Sequence, residues 1–370
     1  MPVEPSKTKS AYLPALDGLR FIAFLLVFIH HAQSITLHPV WTTLHAYGWM
    51  GVELFFCLSA FLFAKLLHAE YVRTGSINIR FFYIRRGLRI WPLYYCFVLA
   101  AVIHSYRYGI FSGILLRTAG MLTFTDDILV AALGYCLIAY SPHLWTIAYE
   151  EQFYAVIPWA LRRLFRMSPY HRLLSLLGVV IAGSLVRAVF IWKAVPHPAI
   201  WVLPITHFDS ILFGLMMGLG FFDRVLGKVP PFACAAAGVA ALMFVGRLPS
   251  VETLSWWLMV TYPLVGLGMT LIVYGVLRAN RSFWVSWLST RPMAFLGKIS
   301  FGLYVYHIWA LQYCTTYSPI DFSYSVPWVM SVFGVPLSVT ILVSSLSYFV
   351  LEKPFLLMKD RFTIVASRPA

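Results

Sequence analysis

Apolar stretches long enough to cross a bilayer as helices follow one another along most of the chain, separated by short polar or basic segments. With the alternation of basic residues between them, they predict spans near 17–36, 48–68, 90–106, 144–162, 173–193, 206–223, 231–247, 257–277, 294–315 and 327–351. The expected fold is an all-α, polytopic transmembrane helix bundle of about ten spans with both termini cytoplasmic. Residues 107–143 interrupt the pattern, because their two short apolar stretches hold Arg117, Asp126 and Asp127. A re-entrant or short-helix region on the outer side is expected there. Pro158, Gly214, Gly218 and Pro263 lie within spans, where neighbouring helices and small-residue packing make them ordinary.

Composition removes the soluble alternative. At 60% hydrophobic and 11% charged residues, with mean hydropathy +0.78, the 370-residue chain cannot hide its apolar surface in a water-soluble globule. No polar linker divides it, so one membrane domain is expected over 16–356, between cytoplasmic tails at 1–15 and 357–370. Lys7, Lys9 and Arg20 precede the first apolar run, but His30-His31-Ala32-Gln33 follows where a cleavable leader has small residues; an uncleaved first span is expected. The five cysteines stand singly without metal-ligand spacing and read as buried small hydrophobes, so no metal site is expected. The net charge of +14 is distributed between spans as the positive-inside rule requires. The expected partner of that charge is membrane lipid, not nucleic acid.

Four constellations carry candidate chemistry. The first is Asp17, Arg20 and His31. The eleven steps from Arg20 to His31 come within about 20° of whole helical turns, so both project from one face, roughly 16 Å apart, and His30 points elsewhere. A neutral imidazole at membrane depth suits general-base work on a hydroxyl, and a packing histidine bonded to a neighbouring helix is the alternative. The second is Glu53 and Ser59 in the second span. A buried carboxylate needs a partner, supplied by Arg20 or a nearby hydroxyl, and a structural ion pair stands level with a catalytic role.

The third constellation is Arg85, Arg86 and Arg89, whose spacing places several guanidinium donors on neighbouring faces of one helix. Phosphate binding and anchorage to anionic lipid both fit. The fourth runs from Trp145 through Glu150 and Glu151 to Tyr154. Adjacent carboxylates cannot share a helical face, and Glu150 is the one expected to turn inward. Trp145 and Tyr154 also fit an interfacial aromatic belt.

In order, these pieces resemble the integral-membrane acyltransferase-3 family: Leu16-Asp17-Gly18-Leu19-Arg20, His31, Gly51 to Ser59, Arg85-Arg86-Gly87-Leu88-Arg89-Ile90-Trp91-Pro92, and Trp145 to Tyr154. Phe208-Asp209-Ser210 with Gly214, Leu296 to Ser300 with Tyr304 and His307, and Tyr348 with Glu352-Lys353-Pro354 extend the resemblance across residues 12–356. Three positions depart from the pattern. Ala60 replaces a glycine, Thr146-Ile147 replaces Ser-Leu, and His207 stands where arginine is frequent, so the substrate contact of that arginine is not carried over.

The resemblance implies a single-domain O-acyltransferase of a bacterial inner membrane that moves acetyl from cytoplasmic acetyl-CoA, a co-substrate and not a resident cofactor. The implied acceptor is a hydroxyl on a glycan or glycolipid, with a macrolide as the rival acceptor. On this reading His31 and Glu150 are catalytic, Arg20, Arg85, Arg86 and Arg89 bind acyl-CoA, and Asp17, Glu53, Ser59, Trp145, Tyr154 and Asp209 support them. A transporter or flippase of an anionic substrate is the reading from another class.

Overall fold

The computed structural model describes residues 13–32, 39–109, 113–279, 282–317 and 330–365. Its regular secondary structure among these residues is helical, joined by turns and coil. The first half holds α1 (Pro14–His31), α2 (Pro39–Tyr47), α3 (Met50–Thr74), α4 (Ile79–Arg107), α5 (Ile114–Leu122), α6 (Asp126–Leu133), α7 (Trp145–Leu164) and α8 (Pro169–Trp192). The second half holds α9 (Ala199–Val202), α10 (Asp209–Gly218), α11 (Asp223–Leu226), α12 (Pro231–Val245), α13 (Leu258–Arg278), α14 (Phe283–Ser286), α15 (Arg291–Lys298) and α16 (Ser300–Tyr317). A last long helix, α17 (Val332–Phe362), widens to π-type turns over Tyr348–Glu352.

Local sequence explains where the helices begin. Pro14 occupies the first turn of α1, where its missing N–H leaves nothing unpaired. Asn78 caps α4 by accepting the Phe81 N–H at 3.0 Å, and Ser168 caps α8 by accepting from His171, with Pro169 directly after it.

The expectation of about ten spans is corrected. Six helices among the described residues are long and apolar enough to cross a membrane: α1, α3, α4, α8, α13 and α17. A seventh is gained if α15 and α16, bent by 71° to one another, form one span. The difference has a physical cause at each lost span. The 206–223 stretch yields only the 10 residues of α10, about 15 Å of helix, and 231–247 yields the 15 residues of α12, about 22 Å. Both fall short of a hydrocarbon core about 30 Å thick. The 144–162 stretch does form a 20-residue helix, but Glu150, Glu151, Arg162 and Arg163 interrupt its apolar character. Continuous hydrophobicity records burial and says nothing of where turns fall; in 206–223 they fall on both sides of α10. Residues 107–143 contribute two short helices, α5 and α6, with Arg117 3.6 Å from Asp126 between them. The placement of the two termini lies outside the described residues.

The core gathers around α3, which is buried along most of its length and packs against α1, α7, α10 and α13. Small residues set these approaches, as they do where helices meet without a hydrophobic drive from water. At Gly214 of α10 a Cβ would overlap the Cys57 backbone of α3, and at Gly297 of α15 it would overlap the Asp17 carbonyl of α1. The second contact seats Asp17 and Arg20 against the bundle interior, where a cleft begins.

Candidate active site

Residues of α1, α3, α4, α7 and α16 wall a cleft of about 150 Å³, on the scale that accepts a benzene-sized group. Such a volume fits one end of a long substrate rather than a whole nucleotide. One end of the cleft is basic. Arg20 from α1 and Arg86 and Arg89 from α4 all face it, and among these only Arg20 has a carboxylate salt bridge, to Asp17 at 2.9 Å. The Arg86 guanidinium lies 4.7 Å from the centre of the Phe63 ring, and its buried Nε has no hydrogen-bond partner among the described residues. Arg85 turns away from the cleft. It donates to Glu70 at 3.3 Å and to the Phe362 carbonyl at 2.7 Å, so it joins α4 to α3 and α17.

Glu150 lines the wall, where its carboxylate accepts from Tyr154 Oη at 2.9 Å and Ser59 Oγ at 3.4 Å. Its neighbour Glu151 faces elsewhere and accepts from the Trp91 indole at 3.3 Å. Helical geometry enforces this division, since consecutive side chains diverge by about 100°.

The far end closes on aromatic side chains. Phe55 and Tyr304 both line it with ring centres 6.2 Å apart, and the Tyr304 hydroxyl lies 2.7 Å from Thr146 Oγ1 and 3.3 Å from the His143 carbonyl. Behind Tyr304 lies a group of imidazoles. His307 is one turn along α16, its ring centre 5.0 Å from His31 and 4.7 Å from His143. His31 ends α1, exposed, outside the cleft wall, and paired with His307 through a 3.1 Å hydrogen bond. Arg20 and His31 therefore share a helix, but Arg20 lines the cleft with Tyr304 whereas His31 lies outside it against His307. His30 turns aside, its Nδ1 donating to the His45 carbonyl at 2.7 Å.

Glu53 and Asp209 belong to a second buried group. Glu53 lies 2.6 Å from His207 Nε2 and accepts from Ser210 Oγ at 2.5 Å, while Arg187 of α8 pairs with Asp209 of α10. Trp145 packs edge-on against Trp201 beside this group, with ring centres 5.4 Å apart. The structure thus brings Asp17, Arg20, Ser59, Arg86, Arg89, Glu150 and Tyr154 to one cleft and leaves His31, Arg85, Glu53, Trp145 and Asp209 outside it. Sequence reasoning gave no role to His143, Arg187 or His307. The available signal was the rule applied to His31, that a titratable side chain in an apolar stretch needs a partner.

A multi-pass membrane bundle, with a cleft lined by guanidinium groups on α1 and α4 and by Tyr304 on α16, defines the class: a polytopic membrane protein with an internal cleft. Comparison makes the class specific. The acyltransferase-3 family, described as an acyltransferase domain, matches residues 13–346, and the chain belongs to it. A protein of Staphylococcus aureus strain COL that bears the name of an O-acetyltransferase is 27% identical over 373 aligned positions, covering 94% of this chain and 58% of the relative. The O-acetyltransferase OatA of S. aureus strain NCTC 8325 / PS 47 is 24% identical, covering 93% of this chain and 57% of the relative. The chain spans less than two thirds of the length of these relatives. No solved structure matches it.

Proposed function

We propose that this protein is an acyl-CoA-dependent O-acyltransferase that moves an acetyl group from acetyl-CoA to a sugar hydroxyl of a surface glycan or glycolipid. Membership of the acyltransferase family supports the reaction class, the names of the relatives support an acetyl donor and an oxygen acceptor, and the resemblance in motif order supports the glycan. The observation that carries the reading is the polarity of the cleft. Arg20, Arg86 and Arg89 collect at one end, and the other end abuts the Tyr304, His307 and His31 series.

On this reading the CoA phosphates rest on Arg86 and Arg89 at the basic end, which the positive-inside rule assigns to the cytoplasm. The pantetheine arm follows the cleft past Arg20 and Glu150. Its thioester reaches the aromatic end of the cleft, where the Phe55 and Tyr304 rings must part for it to meet His31 beyond them, and the acceptor hydroxyl arrives from the opposite face. His31 takes the hydroxyl proton, the oxygen attacks the thioester carbonyl carbon, and the C–S bond breaks with its electron pair going to sulfur. The imidazolium then returns the proton to the thiolate as CoA leaves. Glu150, held by Tyr154 and Ser59, orients the arm.

A hydrogen bond to a charged group contributes about 1.5 to 3 kcal/mol, and every 1.4 kcal/mol is about tenfold in affinity. Replacing Arg86 and Arg89 by glutamine is therefore expected to weaken acyl-CoA binding to the purified protein by roughly 100-fold or more, measured by titration calorimetry. Arg85→Gln is expected to leave that affinity within about threefold, because Arg85 serves Glu70 and Phe362 instead. Unchanged affinity in the Arg86/Arg89 double variant would remove the acyl-CoA assignment. The transporter reading predicts no chemical turnover, so acceptor-dependent release of free CoA thiol separates the two.

A further inference from the structure

We propose that His307 is a positioning residue for acyl transfer, fixing the tautomer of His31 so that Nε2 of His31 is the nitrogen that takes the hydroxyl proton. The inference rests on His31 acting as the base.

The hydrogen-bond directions follow from which atoms carry protons. A carbonyl oxygen only accepts. His307 Nδ1 lies 2.5 Å from the Tyr304 carbonyl, so it must be the protonated nitrogen of that ring. In a neutral imidazole the other nitrogen is then an acceptor, and His307 Nε2 presents its lone pair to His31 Nδ1 at 3.1 Å. His31 Nδ1 must accordingly carry its own proton. A second contact demands the same answer independently, because His31 Nδ1 also lies 3.0 Å from the Val27 carbonyl. Two acceptors on different helices thus hold one proton on Nδ1 of His31. Its Nε2 is left as the basic nitrogen, with no hydrogen-bond partner among the described residues and on an exposed side chain.

His307 is itself held firmly. It is fully buried, with Phe24 edge-on to its ring at 6.2 Å and His143 at 4.7 Å. Backbone and side chain of one residue link this device to the cleft: the Tyr304 carbonyl anchors His307 and the Tyr304 ring lines the cleft wall. When Nε2 of His31 takes the acceptor proton, the resulting imidazolium still donates from Nδ1 to His307 and Val27. The positive charge formed in that step is stabilised without any group moving.

Two amide variants test this. In His307→Gln the amide oxygen reaches the position of Nε2 and can accept from His31, whereas His307→Asn carries the same amide one methylene shorter and cannot span that distance. His307→Gln is expected to keep kcat within about tenfold of the parent, and His307→Asn to lose on the order of 10²- to 10⁴-fold, the range for a misplaced or mis-protonated base. In both, the Kd for acetyl-CoA, measured in the same preparations, is expected to stay within about twofold. Equal kcat in the two variants, whether both high or both low, would overturn the proposal, since a packing role does not distinguish the reach of the amide. His31→Ala separates the layers: if it retains turnover the underlying reading fails, and if it is inactive while His307→Asn is fully active only the tautomer assignment fails.

Discussion

His31→Ala is expected to lower acceptor-dependent CoA release by on the order of 10²- to 10⁴-fold, the share of the rate that a positioned general base contributes. Affinity for acetyl-CoA should change by less than about twofold, because His31 lies outside the cleft wall and the guanidinium groups are untouched. The fold should survive the change. His31 is an exposed side chain at the end of α1, and its removal leaves one buried orphan, the lone pair on His307 Nε2, at a cost of about 1 to 3 kcal/mol. The measurement is thiol release by purified protein, with binding of acetyl-CoA in the same preparation as the control for folding. Turnover within about tenfold of the parent would show that His31 is a packing residue and that another group accepts the proton. The result also bears on the transporter reading, in which His31 lines a path for an anion and no thioester is cleaved.

Which features could be read from the chain alone follows from how local each one is. Helical phase suffices to turn Glu150 and Glu151 to different faces and to place Asp17 beside Arg20, since these relations span four residues or fewer. Between Arg20 and His31 phase relates the two only within α1. Helical geometry projects both from one side of α1, but α16 sets Tyr304 in the cleft with Arg20 and His307 against His31, and nothing within α1 records those contacts. Arg85 shows the same limit: its spacing matches Arg89, but Glu70 of α3 and the Phe362 carbonyl of α17 claim it. For Glu53 the sequence offers Arg20 or a hydroxyl as partner; it finds the Ser210 hydroxyl and His207, both distant in sequence. Hydropathy marks what is buried in protein and what is buried in lipid alike, so α10 and α12, short helices packed on α3 and α13, read as crossings that the structure does not form.

Replacing Arg187 by methionine is expected to destabilise the folded protein by about 3 to 5 kcal/mol, the cost of stranding one member of a buried ion pair. Arg187 is 2% exposed within an apolar helix, and each of its three nitrogens donates to a neighbour. Its Nε donates to the Thr206 carbonyl at 2.7 Å, one terminal nitrogen reaches the Leu258 carbonyl at 3.3 Å, and the other pairs with Asp209. The guanidinium also sits 4.9 Å from the centre of the Tyr262 ring, so one side chain ties α8 to the start of α10 and the start of α13. Methionine fills much of the volume but leaves the Asp209 carboxylate buried without a cation, in a region where Glu53 already supplies one carboxylate. The loss should appear as a lower unfolding temperature in detergent and a smaller yield of membrane-inserted protein. The double variant Arg187→Met with Asp209→Leu removes both charges and should regain part of that stability, because apolar replacement of a whole buried pair is often neutral while removal of half is not. A single variant as stable as the parent, or a double variant less stable than Arg187→Met alone, would mean that the carbonyl contacts to Thr206 and Leu258, rather than neutralisation of Asp209, are what Arg187 contributes.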